Sequence, residues 1–441
     1  MQSGNRFAVR QLAFAIFNVI CASSAWAAQE DEAAKTLSPV VVTGTRAENR
    51  TAAESLQPIQ VVSAQALEGS GSSELGEALS RVVPSLNFPR PASSGFTGII
   101  RPAQMRGLGP DQVLVLVNGK RRHNSALVNT GSKIGKGTTP VDFNAIPVSA
   151  IKRIEVLRDG AGALYGSDAV AGVINVILDD APEGGAIEAS FGAHHTDLAP
   201  IGRTLTDGQT SYFSAKVGTA LTEEGGFLRV GLEYKNREAT NRAGFDQIPP
   251  WEAQTADNLA LAGKRNYALG DGASKDINAW FNTEIPFGAT SKAYAFGTYN
   301  QRDTEGANYF RYPDGKANWK QLYPHGYRPV SEGENLDVQL VGGARGQWGE
   351  WNYDASVDHG RNEFTYRLRN SLNASLGPAS PTRFKTGDFS FEQTVANLDL
   401  GRVFVRGNDS HSLGFGIEGR HERYETGAGD PASYAAGPYT D

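Results

Sequence analysis

From Gly185 onward the chain keeps two rhythms at once, and together they leave few architectures open. The first is alternation, in runs of about ten residues whose apolar side chains fall on every second position. Phe213, Ala215, Val217 and Leu221 share one face of their run, while Tyr212, Ser214 and Lys216 share the other. Leu228, Val230, Leu232 and Tyr234 oppose Arg229, Glu233 and Lys235. Leu336, Val338 and Leu340 oppose Asp337 and Gln339, and Leu413, Phe415 and Ile417 oppose Ser412, Glu418 and Arg420. The tract from Lys292 to Asn300 alternates poorly. The second rhythm lies in the connections, which run long (196–209), short (222–225), long (238–276), short (286–290), long (303–332), short (347–350), long (368–390) and short (406–409). A β-sandwich can alternate but has no reason to keep long and short connections in strict turn. A membrane β-barrel does, with short turns on one side and long loops on the other. Nine such strands are present, an odd number, and the chain then runs out in the loop-like GAGDPASYAAGPYTD. Bacterial barrels close with an even count, and an open edge in lipid leaves backbone groups unpaired. The expectation is therefore an incomplete barrel, with a truncated sequence.

The N-terminus reads as an export signal. Arg6 and Arg10 form a basic start, Leu12 to Ile20 an apolar core, and Ala25-Trp26-Ala27 a small-x-small cleavage site. The alternative is a buried first helix. Cys21, the one cysteine, leaves with residues 1–27, so the mature chain forms no disulfide. Loss of Arg6 and Arg10 leaves 40 basic against 48 acidic side chains, a balance that does not fit a nucleic-acid binder.

Residues 28–50 begin acidic and Ala-rich and are expected to be mobile, and they contain LSPVVVTGT. Pro39 bars a helix, Val40, Val41, Val42 and Thr43 are all β-branched, and Gly44 stops the run. Such a segment suits a strand donated to another sheet edge, or an ordinary first strand of the domain that follows. That domain, 51–182, mixes short strands and helices. Pro58 to Val62 reads as a strand. Ser73 is the expected N-cap of a helix with Leu75, Leu79 and Val82 on one face, ended by Pro84. Val113 to Val117 reads as a buried strand turned by Asn118-Gly119 into Lys120 to His123. Ile151 to Leu178 closes the unit with two strand-like runs around a small-residue segment, from Asp159 to Ser167, that permits sharp bends and close approach.

The same residues resemble the TonB-dependent outer-membrane receptors. The resemblance rests on RIEVLR (Arg153 to Arg158, with Glu155), LYG (Leu164, Tyr165, Gly166) and GVIN (Gly172 to Asn175). It extends to MRGLG (Met105 to Gly109, with Arg106 and Gly107), VLVLVNGKR (Val113 to Arg121) and PIQVVSAQAL (Pro58 to Leu67), all in family order. Ser38 to Gly44 is similar to the TonB box. The chain departs from the family pattern at Asp159-Gly160, Ala171-Gly172 and Leu178-Asp179-Asp180. The resemblance implies an α+β plug domain inside an antiparallel transmembrane β-barrel of about 22 strands, of which this chain holds about nine. It implies outer-membrane lipid around the barrel, TonB as the partner of Pro39 to Gly44, and a small extracellular ligand, siderophore-iron or a similar complex. No cofactor is implied.

Ligand-contact candidates sit in the third long connection. Tyr309, Phe310, Tyr312, Trp319, Tyr323 and Tyr327 either stack on a ligand, join the interfacial girdle or pack the loop itself. His194-His195 either touches a metal chelate or is a solvated pair. Neither a metal-ligand spacing nor a nucleophile elbow or triad is present, which speaks against an enzyme. A passive porin or adhesin barrel stays open as the alternative, but has no use for a plug or a TonB box.

Overall fold

The computed structural model describes residues 40–41, 50–51, 58–90, 99–129, 135–407 and 409–439. The export signal therefore lies outside the described residues, as do Pro39, Val42, Thr43 and Gly44. Val40 and Val41 (β1, Val40–Val41) pair antiparallel with β2 (Arg50–Thr51).

The next domain is built on a mixed five-stranded sheet: β3 (Ile59–Ser63), β6 (Val113–Val117), β7 (Lys120–Arg121), β8 (Ile151–Leu157) and β9 (Gly172–Leu178). Their spatial order is β3-β8-β9-β6-β7, with β6 parallel to β9 and the other pairs antiparallel. All five residues of β6 are buried, as a continuous apolar run requires. Two helices pack here, α1 (Ala64–Glu68) and α2 (Leu75–Val82). Leu75 and Leu79 point into the core, but the N-cap of α2 is Glu74 and not the expected Ser73. Glu74 is drawn inward by arginines, described below, and gives no side-chain cap. Two further two-residue strands, β4 (Leu86–Asn87) and β5 (Gln104–Met105), pair with each other.

Asn118 and Gly119 both take positive φ, 49° and 80°, the geometry of a tight primed hairpin turn. Gly172 is the residue whose hydrogen matters most. Its φ is 151°, and a Cβ there would overlap the Leu157 carbonyl oxygen and the Met105 sulfur. Only glycine lets β9 lie this close to β8.

Nine long strands follow in one antiparallel sheet, each paired with its sequence neighbours. They are β10 (Gly185–Leu198), β11 (Arg203–Ala220), β12 (Phe227–Arg237), β13 (Ala273–Phe287), β14 (Ser291–Ala307), β15 (Val330–Trp348), β16 (Trp351–Arg369), β17 (Arg383–Arg406) and β18 (Asp409–Ala428). The sheet is not closed: β10 and β18 are its two edges. The strands are 11 to 24 residues long, well beyond the expected ten. The poorly alternating Lys292 to Asn300 lies within β14. The expected long connection at 196–209 is corrected to a short hairpin, because β10 and β11 pair on to Leu198 and Arg203. Outside the width of a lipid core no apolar face is needed, so polar residues carry the ladder on without alternation.

The sense of burial is inverted relative to a soluble sheet. Along β12, Arg229, Glu233 and Lys235 are each 5% exposed, while Val230, Leu232 and Tyr234 are 36–38% exposed. Ile187, Phe191, Phe213, Leu340, Phe415 and Ile417 likewise face outward. The polar face receives the N-terminal domain. Among the described residues, no helix is long and apolar enough to cross a membrane.

Candidate functional site

Two regions qualify: the seam between the N-terminal domain and the long-stranded sheet, and a cavity at the long-loop end above it. The seam is assembled from pairs that lie far apart in sequence. Arg302 on β14 donates to Asp142 of the N-terminal domain at 2.5 Å and also pairs with Asp276 on β13. All three side chains are essentially without solvent exposure. Asp142 also accepts the Arg101 backbone N–H at 2.9 Å, so one carboxylate satisfies both structures. Arg122 pairs with Asp337 on β15 and donates to Thr298 Oγ1 at 2.7 Å and to Gln339 Oε1 at 2.8 Å.

His123 Nε2 lies 3.1 Å from the same carboxylate, which Asn362 also reaches at 2.9 Å. Burial, with Arg122 adding to it, pushes His123 below the usual imidazole range despite Asp337. Neutral His123 therefore donates from Nε2. Gly360 on β16 makes its seat, since a Cβ there would collide with the imidazole. Lys120 pairs with Asp354 at 3.0 Å, and Lys216 and Arg229 hold Asp179 at 2.9 and 3.1 Å where the chain enters β10.

The motif residues of the N-terminal domain hold it together internally. Asn118 Oδ1 accepts the Leu178 N–H at 2.9 Å, and Asn175 Oδ1 accepts the Gly119 N–H at 3.0 Å, which locks the turn onto β9. Arg153 pairs with the fully buried Glu155 at 2.8 Å. Arg106, at φ 58° beside Gly107, reaches Asp159 at 3.4 Å on the surface. Arg121 donates to the Tyr165 carbonyl at 3.1 Å and to Asp168 at 2.6 Å, and Gly166 turns the chain with φ 87°. Arg158 is exposed.

The cavity measures about 530 Å³ and lies where β12, β13, β14, β15 and β16 meet the long loops. Its floor includes Ile99, Arg101 and Asn144 of the N-terminal domain. Six arginines line it against three carboxylates, Asp207, Asp271 and Glu305. Arg101 reaches Asp271 at 3.3 Å. Burial and the neighbouring Arg90 pull the Arg101 guanidinium down to about 10. Burial presses the Asp271 carboxyl upward, but Arg101, Arg90 and Arg237 outweigh it and hold the group below the usual range.

Most of the loop aromatics are spent on the loops. Tyr312 is 1% exposed, donates to Asp246 at 2.6 Å and packs with Ile248, Leu261, Tyr267 and Phe310. Tyr323 stacks on Tyr327, and Trp319 donates to the Ala374 carbonyl at 2.8 Å. Tyr309 stays 53% exposed. His195 Nδ1 sits 2.9 Å from Thr206 Oγ1 across the β10–β11 pair. Among the described residues, no cluster of His, Cys, Asp and Glu is arranged to hold a metal ion. The residues that sequence reasoning missed are Arg101, Asp142, Arg237, Arg302 and Asp337. For Arg237 and Asp337 the one signal was a charged residue at every second position of an otherwise apolar strand, while Arg101 and Asp142 lie outside the strands.

Residues 51–173 match the family model of the TonB-dependent receptor plug domain. Over 320 residues the chain is 28% identical to the ferric enterobactin receptor PirA of Pseudomonas aeruginosa, covering 67% of this chain and 40% of that protein. Over 238 residues it is 36% identical to the vitamin B12 transporter BtuB of Vibrio vulnificus, covering 53% of this chain and 35% of that one. Residues 51–173 belong to the TonB-dependent receptor plug family. The five-stranded domain is thus the plug, and the nine-stranded sheet is part of a barrel wall. The fold is shared with the ferric enterobactin receptor PfeA in complex with BCV-L6, at a TM-score of 0.58 and 18% identity, covering 85% of this chain and 50% of that chain. It is shared also with the outer membrane transporter YddB of Escherichia coli, at 0.54 and 12%, covering 83% and 48%. The chain spans about half the length of these structures and less than that of the curated relatives.

Proposed function

We propose that this chain serves the energised uptake of a scarce small ligand, siderophore-iron or a similar complex, across the bacterial outer membrane, with TonB supplying the pull. In this reading residues 1–27 are an export signal, 28–50 carry the TonB-binding stretch, 51–182 are the plug and 183–441 belong to the barrel. The observation that carries it is the seam. A passive pore gains nothing from a folded domain keyed into its wall by buried ion pairs, whereas a receptor that opens only on demand needs such a stopper. Ligand would be captured at the long-loop end, where the cavity's floor is plug and its walls are barrel. The names of the relatives, which cover ferric enterobactin and vitamin B12, support uptake of a compact complex.

Residues Pro39 to Gly44 would offer their backbone to TonB as an added strand. Among the described residues Val41 and Val40 pair with Arg50 and Thr51 through two residue pairs, a ladder short enough to exchange. The test is binding of the periplasmic domain of TonB to the purified chain in detergent, measured by calorimetry. Val41→Pro removes a donor and fixes the backbone, and is expected to abolish binding, while Val41→Ala keeps most of it. Equal binding by both variants would remove the strand-exchange role.

A further inference from the structure

We propose that His123 is a proton-operated catch in the seam: its neutral ring locks residues 120–126 of the plug to the wall, and a proton on its second ring nitrogen releases them. The catch works whichever ligand is taken up, and so goes beyond the uptake reading.

Four consecutive residues make the lock. Lys120 pairs with Asp354 of β16, Arg121 with Asp168 and, at 3.9 Å, with Glu418 of β18, and Arg122 with Asp337 of β15. Lysine and arginine keep their charge throughout the physiological range, whereas the fourth residue, His123, is of the one type that changes charge within it. Its ring is 1% exposed. The Asp337 carboxylate only accepts, so Nε2, at 3.1 Å from it, carries the hydrogen.

Nδ1 is the position left for a second proton, and the seat has no place for one. Nδ1 is buried, lacks a hydrogen-bond partner among the described residues, and lies against Gly360 of β16, where a Cβ would overlap it. A proton there would make a buried N–H with no acceptor, which is costly. It would also set a second cation beside Arg122 on the one carboxylate of Asp337. The other titratable groups on β16 bring no relief. Asp358 is engaged by Gln339 at 3.0 and 3.1 Å, and His359, on the outer face, adds repulsion. Burial above all, with Arg122 and His359 behind it, presses the seated ring toward neutral against the pull of Asp337. Out of its seat the ring has water at Nδ1 and takes a proton near its ordinary 6.5, so acid favours the released arrangement.

Release spreads along the segment through two side chains of the wall. Asp337 Oδ2, which holds the ring, also accepts from Asn362 Nδ2 at 2.9 Å, and Asn362 Oδ1 accepts the Ala126 N–H at 2.7 Å. Ring and Ala126 amide thus hang on one string of hydrogen bonds. The catch holds above neutral pH and slackens as the surroundings acidify, which eases the drawing aside of this part of the plug.

The test is amide hydrogen exchange on the full chain in detergent at about pH 7.5 and about pH 5.5, corrected for the intrinsic pH dependence of exchange. Opening at Ala126, a plug amide bonded to a wall side chain, is expected to rise about tenfold at the lower pH. Opening at Leu178, whose N–H is bonded to Asn118 within the plug, should not move, and reports that the fold is intact. His123→Gln can still donate to Asp337 but takes up no proton, and should abolish the rise at Ala126. Gly360→Ala fills the seat, and should leave Ala126 open alike at both pH values. His359→Gln should keep the whole rise. No rise in the unaltered chain, an equal rise at Leu178, a rise that persists in His123→Gln or Gly360→Ala, or one lost in His359→Gln would each overturn the proposal.

Discussion

The plug sheet and the barrel sheet solve opposite problems with the same residue types. In the plug, β6 buries every side chain of a Val/Leu run, and charge is admitted only where a partner waits, as for Glu155 with Arg153. In the barrel wall, Leu340 is 54% exposed while its neighbour Gln339 is 2% exposed and bound to Asp358 and Arg122. One sheet hides its apolar residues from water; the other offers them to lipid and hides its charges. The difference teaches that the plug's core is mostly its own, whereas its position depends on polar pairs with the wall and on a few apolar wall residues, Trp280, Phe296 and Val341, that join that core.

The largest test of that division is Arg302→Ala. It strands Asp142 as a buried charge and leaves Asp276 to Lys235 alone at 3.5 Å, and should cost about 3–5 kcal/mol in the urea unfolding of the chain in detergent. A loss under 1 kcal/mol would mean that the seam is wetter than its burial indicates. Next comes Leu340→Arg on the outer face. In a water-exposed sheet it would be nearly neutral, but on a lipid-facing wall it should cost up to about 2–4 kcal/mol, read from folding into lipid vesicles. Gly172→Ala tests the plug's own core. Overlap with Leu157 and Met105 should cost about 1–3 kcal/mol without altering how the barrel strands insert.

The smallest effect is with pH. Burial lowers the folded-state pKa of His123 below its unfolded value of 6.5, so the unfolded chain takes up the proton first as pH falls. Stability from this residue is full above 6.5 and declines as pH falls below it, and His123→Gln should flatten that slope.

The sequence showed the wall through its alternation, and the plug through an apolar run, an Asn-Gly turn and motifs that resemble a family pattern. It was silent where two faces are both polar. The β10–β11 hairpin looked like a loop because Asp197, Thr204 and Asp207 show no apolar face, although the ladder continues between them. The seam was invisible for a different reason. Arg302 and Asp142 are 160 positions apart and Arg122 and Asp337 are 215 apart, and one sequence holds no sign that either pair will meet. Tyr312 misled because a ligand face and a loop core want the same aromatic residue, and here the loop core claims it.

Under the proposed uptake, the clamp on Asp179 bears on what would follow a movement of the plug. Lys216 and Arg229 fasten the chain at the point where it leaves β9 for β10, and only the short tract 179–184 separates the two. A plug drawn partly aside thus never becomes a free reactant. Its return is a unimolecular event at an effective concentration on the order of millimolar or higher, set by a leash of a few residues. In the proposed cycle the polar pairs of the seam could then break and reform, since recapture would rely on the tether and not on the tightness of the seat.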